Sequence, residues 1–179
     1  RYPELRGQAV VVGGRGIHAP MEQAGGGHVF AHLRDYVGRG VVTTSTYEAR
    51  AFGVFSGMGL MKSAQLAPNA ILLPANFDAY RHYSRLFKAA VATIAPKIED
   101  RGIDEIYFDV SDHAEDSHSL AQRIQNAVFD ATGLTCSIGI SPNKLLSKIG
   151  SDLDKPRGIT VLTLDDVPTR IWPLAVKKI

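Results

Sequence analysis

Short apolar runs and longer helical stripes alternate along this chain. Runs rich in Val, Ile and Leu that stop at turn residues predict β-strands at 8–14, 40–46, 70–74, 102–110, 135–141 and 158–162. Apolar residues spaced three or four apart predict helices within 77–95, 119–132 and 141–155, with shorter helices at 29–36 and 47–53. Pro96, Gly133 and Pro156 follow the three long stripes and are expected to end those helices.

The order of these elements indicates the fold class. From about residue 75 to 166 helices and strands alternate, which predicts an α+β domain whose helices cover one face of a mixed or antiparallel sheet. We expect functional side chains on the open face. In the third long helix, Ser141 is expected to be the N-cap and Pro142 the first residue, and the expected core stripe is Leu145, Ile149 and Leu153.

Composition narrows the class of protein. The chain has 179 residues, 45% of them hydrophobic, and a formal net charge of +2, which describes a globular protein that permits an anionic partner without requiring one. No apolar run approaches the roughly 18 residues of a membrane span and the N-terminus lacks a signal-peptide pattern, so we expect a cytoplasmic protein without a membrane partner. The single cysteine, Cys136, excludes an internal disulfide and is interpreted as a small core residue.

Two acidic residues stand in the apolar stretch GIDEIYFDV. Because neighbouring side chains of a strand point to opposite faces, Asp104 would share a face with Ile106 and Phe108, where an unpaired charge is costly to bury. We therefore expect Asp104 and Glu105 at the start of the strand, on a bend that Gly102 allows, where both could bind one Mg²⁺. The alternative is an acidic strand end that only faces solvent.

Two further clusters carry groups suited to phosphate. In TTSTYEARAFGV, Tyr47 and Arg50 lie three apart on a short helix that follows hydroxyl residues, and arginine binds phosphate oxygens in pairs. In SPNKLLSKIGSDLDKPRG, Lys144, Lys148 and Lys155 fall within about 40° of one another on a helix that turns 100° per residue. This basic stripe is suited to a nucleic-acid backbone or a triphosphate. A capped surface helix and a solvated lysine face are the respective alternatives.

Two other patterns are weaker. GGRG after the first strand does not match the dinucleotide-binding glycine fingerprint, and Pro20 would interrupt the helix that should follow. His28 and His32 lie four apart on the predicted helix at 29–36 and its flank, but no third metal ligand is evident, so a solvated helix is the preferred interpretation.

Taken in order, five stretches resemble the Y-family translesion DNA polymerases, most closely the bacterial DNA polymerase IV type. They are YPELRGQAVVVGG, RGVVTTSTYEARAFGV, LLPANFDAYRHYSRLF, GIDEIYFDVSD and LTCSIGISPNKLLSKIGSDLDKPRGITVL. The resemblance implies a small fingers domain at 1–74, a ferredoxin-like palm domain at 75–166, and the start of a thumb at 167–179.

The resemblance also implies roles for residues. Asp104 and Glu105 match the family's catalytic, metal-binding carboxylates, and Lys148 matches a DNA-backbone contact. The contacts to the nucleotide triphosphate are matched by Thr44, Tyr47, Arg50 and Lys155. The implied cofactor is two Mg²⁺ ions, and the implied partners are primer-template DNA, a deoxynucleoside triphosphate and, through regions not in this sequence, a sliding clamp.

The sequence departs from the family pattern in three places. The family's first strand, with another metal-binding aspartate and an aromatic residue that rejects ribonucleotides, is not among these residues, so we expect little synthesis by this polypeptide alone. Residues 15–38 form an insertion of about twenty residues, and Gly102 stands where serine is common. A non-catalytic accessory protein of a mutagenesis complex is the competing function, and a nucleotide cyclase would not account for the YEAR and DKPRG stretches.

Overall fold

The protein divides into two compact units. The computed structural model describes residues 2–14 and 16–176, with unit 1 at residues 1–77 and unit 2 at residues 78–179. The expected end of the fingers at residue 74 lies close to this division, but the assignment of fingers and palm to the units stays a prediction. Residue 15 of the expected insertion and residues 177–179 of the expected thumb lie outside the described residues.

Unit 1 is built on a four-stranded mixed sheet with two short helices. Its strands are β1 (Val10–Gly13), β2 (Met21–Glu22), β3 (His28–Val29), β4 (Ala31–His32), β5 (Val42–Ser45) and β6 (Ile71–Leu73), and its helices are α1 (Tyr47–Ala51) and α2 (Leu60–Leu66). The sheet order is β4, β6, β1, β5, with β1 parallel to β6 and antiparallel to β5, while β2 and β3 form a separate hairpin. Val11, Leu33, Leu60 and Leu72 are fully buried in its core.

The predicted helix at 29–36 is wrong. Those residues form β3, β4 and a 3-10 turn at Leu33–Asp35, because their backbone amides bond to another segment: Leu33 N donates to Ala70 O and Arg34 N to Pro68 O. His28 and His32 consequently lie on different strands. His28 Nδ1 lies 2.8 Å from Glu4 Oε1, and its ring packs edge-on against Tyr2.

The described residues of unit 2 include three α-helices and two two-stranded ribbons. The helices are α3 (Phe77–Ala92), α4 (Ser117–Thr132) and α5 (Lys144–Leu153), and the strands are β7 (Ile98–Asp100), β8 (Ile106–Phe108), β9 (Ile138–Ile140) and β10 (Ile159–Val161). β7 and β8 pair antiparallel, whereas β9 and β10 pair parallel and are joined by α5. Both ribbons turn apolar residues toward one cluster that includes Val91, Leu120, Ile124 and Val128.

The α+β fold class is confirmed, with one difference in the sheet. The sequence predicts one continuous sheet in this region, but in the described residues β8 is hydrogen-bonded to β7 and β9 to β10, in separate ribbons. Strand β7 was not predicted because it is three residues long and includes two acids, so it has no apolar run. Within the described ranges, no helix is long and apolar enough to cross a membrane.

Helix α5 begins two residues later than predicted. Its N-cap is Asn143, whose side-chain oxygen accepts a hydrogen bond from Leu146 N at 2.9 Å, whereas Ser141 bonds the Asn143 carbonyl from outside the helix. The buried face is accordingly formed by Leu146, Ile149 and Gly150, and Leu145 is 57% exposed. The expected place of Leu145 in the core stripe is therefore wrong.

A glycine sets how closely α5 approaches β9. A Cβ at Gly139 would lie 2.1 Å from Ser147 O and 2.5 Å from Ser151 N, distances that no side chain tolerates. The backbone of β9 therefore rests directly on the helix, which fixes the position of the polar face of α5. Buried Gln125 ties α4 to the segment that leads into β9 by donating to Cys136 O at 2.9 Å.

A turn near the end of the described residues packs against the buried face of α5. Ile171, in a π-helical turn at Val167–Ile171, is buried with Leu146, Ile149 and Leu162. The neighbouring Trp172 is 72% exposed. Cys136 is partly buried against the main cluster of unit 2, and burial raises the pKa of its thiol, in keeping with a core role.

Candidate active site

Asp104 and Glu105 lie on an exposed bend immediately before β8. The residues from Gly102 to Asp104 are bent rather than extended, and Gly102 has φ +148°, which favours glycine. Both acidic residues are exposed, and the strand proper begins only at Ile106. The expected bend is present, and it removes the difficulty of burying Asp104 among apolar side chains.

A lysine from α3 fastens this bend. Lys88 Nζ donates to both carboxylate oxygens of Asp100, at 2.9 and 2.8 Å, and to Gly102 O at 2.7 Å. Asp100 Oδ1 in turn accepts from Gly102 N at 3.0 Å. The hydrogen bond from Lys88, followed by that from Gly102 N, lowers the pKa of Asp100. The backbone at Gly102 is thus held at its carbonyl by Lys88 and at its amide by Asp100. We call residues 102–105 the fastened bend.

A chain of alternating charges runs from Glu105 along α5. Glu105 Oε1 forms an ion pair with Lys148 Nζ, which also lies 3.6 Å from Asp152 Oδ2. Asp152 Oδ1 lies 2.5 Å from Lys155 Nζ. We call Glu105, Lys148, Asp152 and Lys155 the charge chain. It brings one predicted metal ligand, Glu105, and the two lysines to which the family resemblance assigns a role, Lys148 and Lys155, into a single network.

The charge chain shifts the pKa values of its central members. Partial burial lowers the pKa of Lys148, but the hydrogen bond to Glu105 and the charge of Asp152 outweigh that effect, so the pKa is raised. Partial burial raises the pKa of Asp152, but the hydrogen bond and charge of Lys155 and the charge of Lys148 outweigh it, so the pKa is lowered from its ordinary 3.8. Both groups are therefore held in their charged forms.

The basic stripe predicted for α5 is neutralised by carboxylates. Lys144, one turn before Lys148, forms an ion pair with Glu99 on β7, and this bond lowers the pKa of Glu99. Lys155 lies beyond the end of the helix at Leu153 rather than on it. The predicted placement of Lys155 on the helix is thus wrong, and helical spacing alone does not report the acids that neighbouring segments bring to the three lysines.

The cluster in unit 1 has a different construction. Thr46 caps α1, accepting from Ala49 N at 3.4 Å, and the same hydroxyl accepts from Val10 N and donates to Gln8 O. Arg50 Nε donates to Ser45 O at 3.1 Å, and its guanidinium carbon lies 4.9 Å from the centre of the Tyr47 ring. Helix α1 has only five residues, so its dipole is small and the anion-binding capacity depends on Arg50.

Two of the three predicted site residues of unit 1, Tyr47 and Arg50, are in contact. Thr44 is exposed on β5, where it is paired with Val12, and Tyr47 is 50% exposed. Within the described residues, the guanidinium of Arg50 makes its protein hydrogen bond through Nε, and no carboxylate forms an ion pair with it. Its two terminal nitrogens can thus still donate to an anion.

Comparison with known proteins identifies the family. The model of the impB/mucB/samB family matches residues 1–152. This chain belongs to the impB/mucB/samB family. A DNA polymerase IV from Shewanella loihica is 38% identical over 181 residues, covering 99% of this chain and 45% of that protein. A DNA polymerase IV from Oceanobacillus iheyensis is 40% identical over 142 residues, covering 78% of this chain and 34% of that protein.

Solved structures agree with this membership. The insertion ternary complex of Dbh DNA polymerase matches with a TM-score of 0.78 and 30% identity, covering 99% of this chain and 48% of that one. DinB from Sulfolobus solfataricus matches with a TM-score of 0.77 and 30% identity, covering 99% and 47%. The resemblance to Y-family polymerases is confirmed, and this family member spans about half the length of the relatives it matches.

Three polar residues of the site region were not predicted. Asp152 joins Lys148 to Lys155, and its spacing of four and three residues from them in SKIGSDLDK was a usable signal for helical ion pairs. Lys88 and Asp100 are twelve residues apart in sequence and meet only because β7 follows α3. No sequence pattern indicated that contact.

Proposed function

We propose that this chain carries catalytic residues of a polymerase that copies DNA past damaged bases by transferring a deoxynucleotide to the 3′-hydroxyl of a primer. Membership of the impB/mucB/samB family and the likeness to the named DNA polymerases support the reaction class. The single observation that carries the proposal for this chain is the pair of adjacent, exposed carboxylates, Asp104 and Glu105, on a fastened bend.

The donor set of this bend fits a divalent cation. Asp104 and Glu105 supply hard oxygen ligands open to solvent, as Mg²⁺ prefers, and its remaining positions would be filled by water or phosphate oxygens. Mg²⁺ bound there would lower the pKa of the primer hydroxyl and neutralise charge on the attacking and leaving oxygens. In the part of the chain that the structure describes, no three His, Cys, Asp or Glu side chains form a metal cluster. The second Mg²⁺ of the family mechanism would therefore need other donors.

The groups for the triphosphate are the cations and hydroxyls predicted above. The terminal nitrogens of Arg50 would donate hydrogen bonds to phosphate oxygens. The Ser45 carbonyl and the Tyr47 ring already orient the guanidinium before a phosphate binds. Thr44 and Lys155 would add a hydroxyl and an ammonium, and Lys148 would contact the DNA backbone. Base identity would come from pairing with the template. Recruitment by a sliding clamp stays a prediction.

Binding of a nucleotide by the 179-residue chain tests this proposal. We expect a fluorescent dATP analogue with Mg²⁺ to bind, and Arg50→Ala to weaken binding at least about tenfold, because hydrogen bonds to charged groups are worth about 1.5–3 kcal/mol. The measurement is the dissociation constant from fluorescence anisotropy. Arg50→Lys should restore only part of the affinity, since an ammonium lacks the planar pair of donors.

Arg34→Ala is the matched control. Arg34 is an exposed arginine of unit 1, whereas Arg50 is half-buried, and Arg34 Nη1 is bonded to Asn69 Oδ1 at 2.8 Å, so its loss should leave nucleotide affinity unchanged. Equal affinity of the Arg50→Ala variant and the unaltered chain would contradict the assignment of Arg50. No nucleotide binding at all would contradict the enzymatic proposal and favour the accessory protein.

A further inference from the structure

The ion pair between Glu105 and Lys148 places a protein cation on a candidate metal ligand. The carboxylate of Glu105 is not free: its Oε1 is held by Lys148 Nζ. A divalent cation that binds Glu105 through the same oxygens must displace this ammonium or share the carboxylate with it. The metal site and the basic residue predicted to contact DNA are therefore connected by one contact.

Lys148 has a second carboxylate within reach. Asp152 Oδ2 lies 3.6 Å from Lys148 Nζ, four residues further along α5. The side chains of Glu105, Lys148 and Asp152 are 52%, 39% and 45% exposed, so the ammonium can exchange partners without opening the core. Asp152 is also paired with Lys155, and a Lys148 released from Glu105 would leave the end of α5 with two cations on one carboxylate.

We infer that Lys148 is the resident counter-cation of the candidate metal site: it pairs with Glu105 in the metal-free protein and is released toward Asp152 or a substrate phosphate when a divalent cation binds. This inference rests on the proposed function, because it takes Asp104 and Glu105 as metal ligands. The consequence is a coupling. Binding of the metal ion releases the Lys148 ammonium from Glu105. Because that ammonium stays on α5, the same event makes it available to a phosphate.

Mn²⁺ binding to the 179-residue chain, measured by electron paramagnetic resonance of the free ion, tests the inference. Lys148→Met removes the competing cation and keeps the length of a helix-forming side chain, so we expect Mn²⁺ affinity to rise roughly threefold to fivefold, as is typical of exposed ion pairs. Lys148→Arg keeps the charge and should bind Mn²⁺ like the unaltered chain. Circular dichroism of each variant confirms that helix content is unchanged.

Lys144→Met is the matched control on the same helix. Lys144 lies one turn earlier and pairs with Glu99 rather than Glu105, so its removal should leave Mn²⁺ affinity unchanged. In a Glu105→Gln background, Lys148→Met should no longer change the affinity, because the coupling depends on the carboxylate. A second readout is the lysine signal of Lys148 in NMR spectra of the dimethylated protein, which should move when diamagnetic Mg²⁺ is added.

The outcomes separate the two proposals. If Mn²⁺ binds the unaltered chain and binds more weakly with Glu105→Gln, but Lys148→Met binds no tighter, the counter-cation inference is overturned and the metal site stands. If Asp104→Asn and Glu105→Gln leave Mn²⁺ binding as it was, the metal assignment itself fails, and the inference fails with it. An equal gain with Lys144→Met would reduce the effect to net charge and also overturn the inference.

Discussion

Arg50 of unit 1 and the lysines of the charge chain in unit 2 are held in opposite ways. Arg50 is fixed by a backbone carbonyl and an aromatic ring, so its charge is oriented but not neutralised by a carboxylate in the described residues. Lys148 and Lys155 are fixed by carboxylates, so their charges are largely cancelled. An anion can bind Arg50 directly, whereas it must compete with Glu105 and Asp152 for the lysines.

This difference has a thermodynamic consequence. A preorganised, unneutralised guanidinium loses little on binding a phosphate, because few contacts are broken. In unit 2 a phosphate must replace an existing ion pair, so the net free energy of binding is small. That free energy depends on whether another ligand, such as a metal ion, already occupies the carboxylate. Arg50 in unit 1 is thus suited to bind an anion tightly. The lysines of unit 2 are suited to bind an anion only when their carboxylate partners are otherwise occupied.

The largest test removes the charge chain by displacing α5. Gly139→Ala places a Cβ 2.1 Å from Ser147 O and 2.5 Å from Ser151 N, so we expect unit 2 to lose about 3 kcal/mol of stability or more. Hydrogen exchange followed by mass spectrometry should show reduced protection in β9, α5 and β10, with β1 and β6 of unit 1 unaffected. Gly25→Ala is the control, because no atom lies within 4 Å of the added Cβ. Unchanged protection of α5 would contradict the close contact.

A smaller effect is expected when the fastened bend is loosened. Lys88→Met removes the hydrogen bonds to Asp100 and Gly102 O, and a net loss of about 1 kcal/mol is expected for a hydrogen-bonded ion of this kind. Amide exchange at residues 102–105 should accelerate. Lys97→Met is the comparison, since Lys97 pairs with Asp112 where the two side chains are 61% and 79% exposed, and its loss should change stability very little. Equal effects of the two variants would mean that Lys88 does not hold the bend.

The smallest effect concerns pH. The pKa of Asp152 is lower in the folded protein than its ordinary 3.8. Between these two pKa values the unfolded state binds more protons than the folded state, so the stabilisation by Asp152 is lost as pH falls through the folded pKa. Asp152→Asn should therefore lower stability by no more than about 1 kcal/mol at neutral pH and flatten the loss below about pH 4. Urea unfolding between pH 3 and pH 7 measures both. A slope for Asp152→Asn identical to that of the unaltered chain would contradict the role of Asp152.

Sequence patterns predicted most of the elements of unit 2, because their burial follows helical spacing. Leu120, Ile124 and Val128 are buried as expected, and Gly133 ends α4 in the left-handed conformation. The patterns failed where contacts between distant segments decide the outcome. Leu33 and Tyr36 are buried at helical spacing, yet the amides of Leu33 and Arg34 bond to carbonyls of residues 70 and 68, and the segment makes only a 3-10 turn of its own.

The sequence predicted the bend that carries Asp104 but not the ion pairs around it, and the roles of the site residues stay predictions. The position of Asp104 on a bend followed from the cost of burying its charge, and the structure has that bend. The neutralisation of Lys144 by Glu99 and of Lys148 by Glu105 joins residues more than forty positions apart. Such pairs depend on the antiparallel turn of β7 and β8 beside α5, which local spacing does not encode.

The exposed tryptophan described at the end of unit 2 has a practical consequence for anyone who follows unfolding by intrinsic fluorescence. Trp172 is the only tryptophan of the chain and is already 72% in contact with solvent. Its emission should shift little on denaturation, and it lies in one unit only. Thermal unfolding followed by tryptophan fluorescence would give a small signal that reports on unit 2 alone. If the two units unfold at different temperatures, that signal would show only one transition.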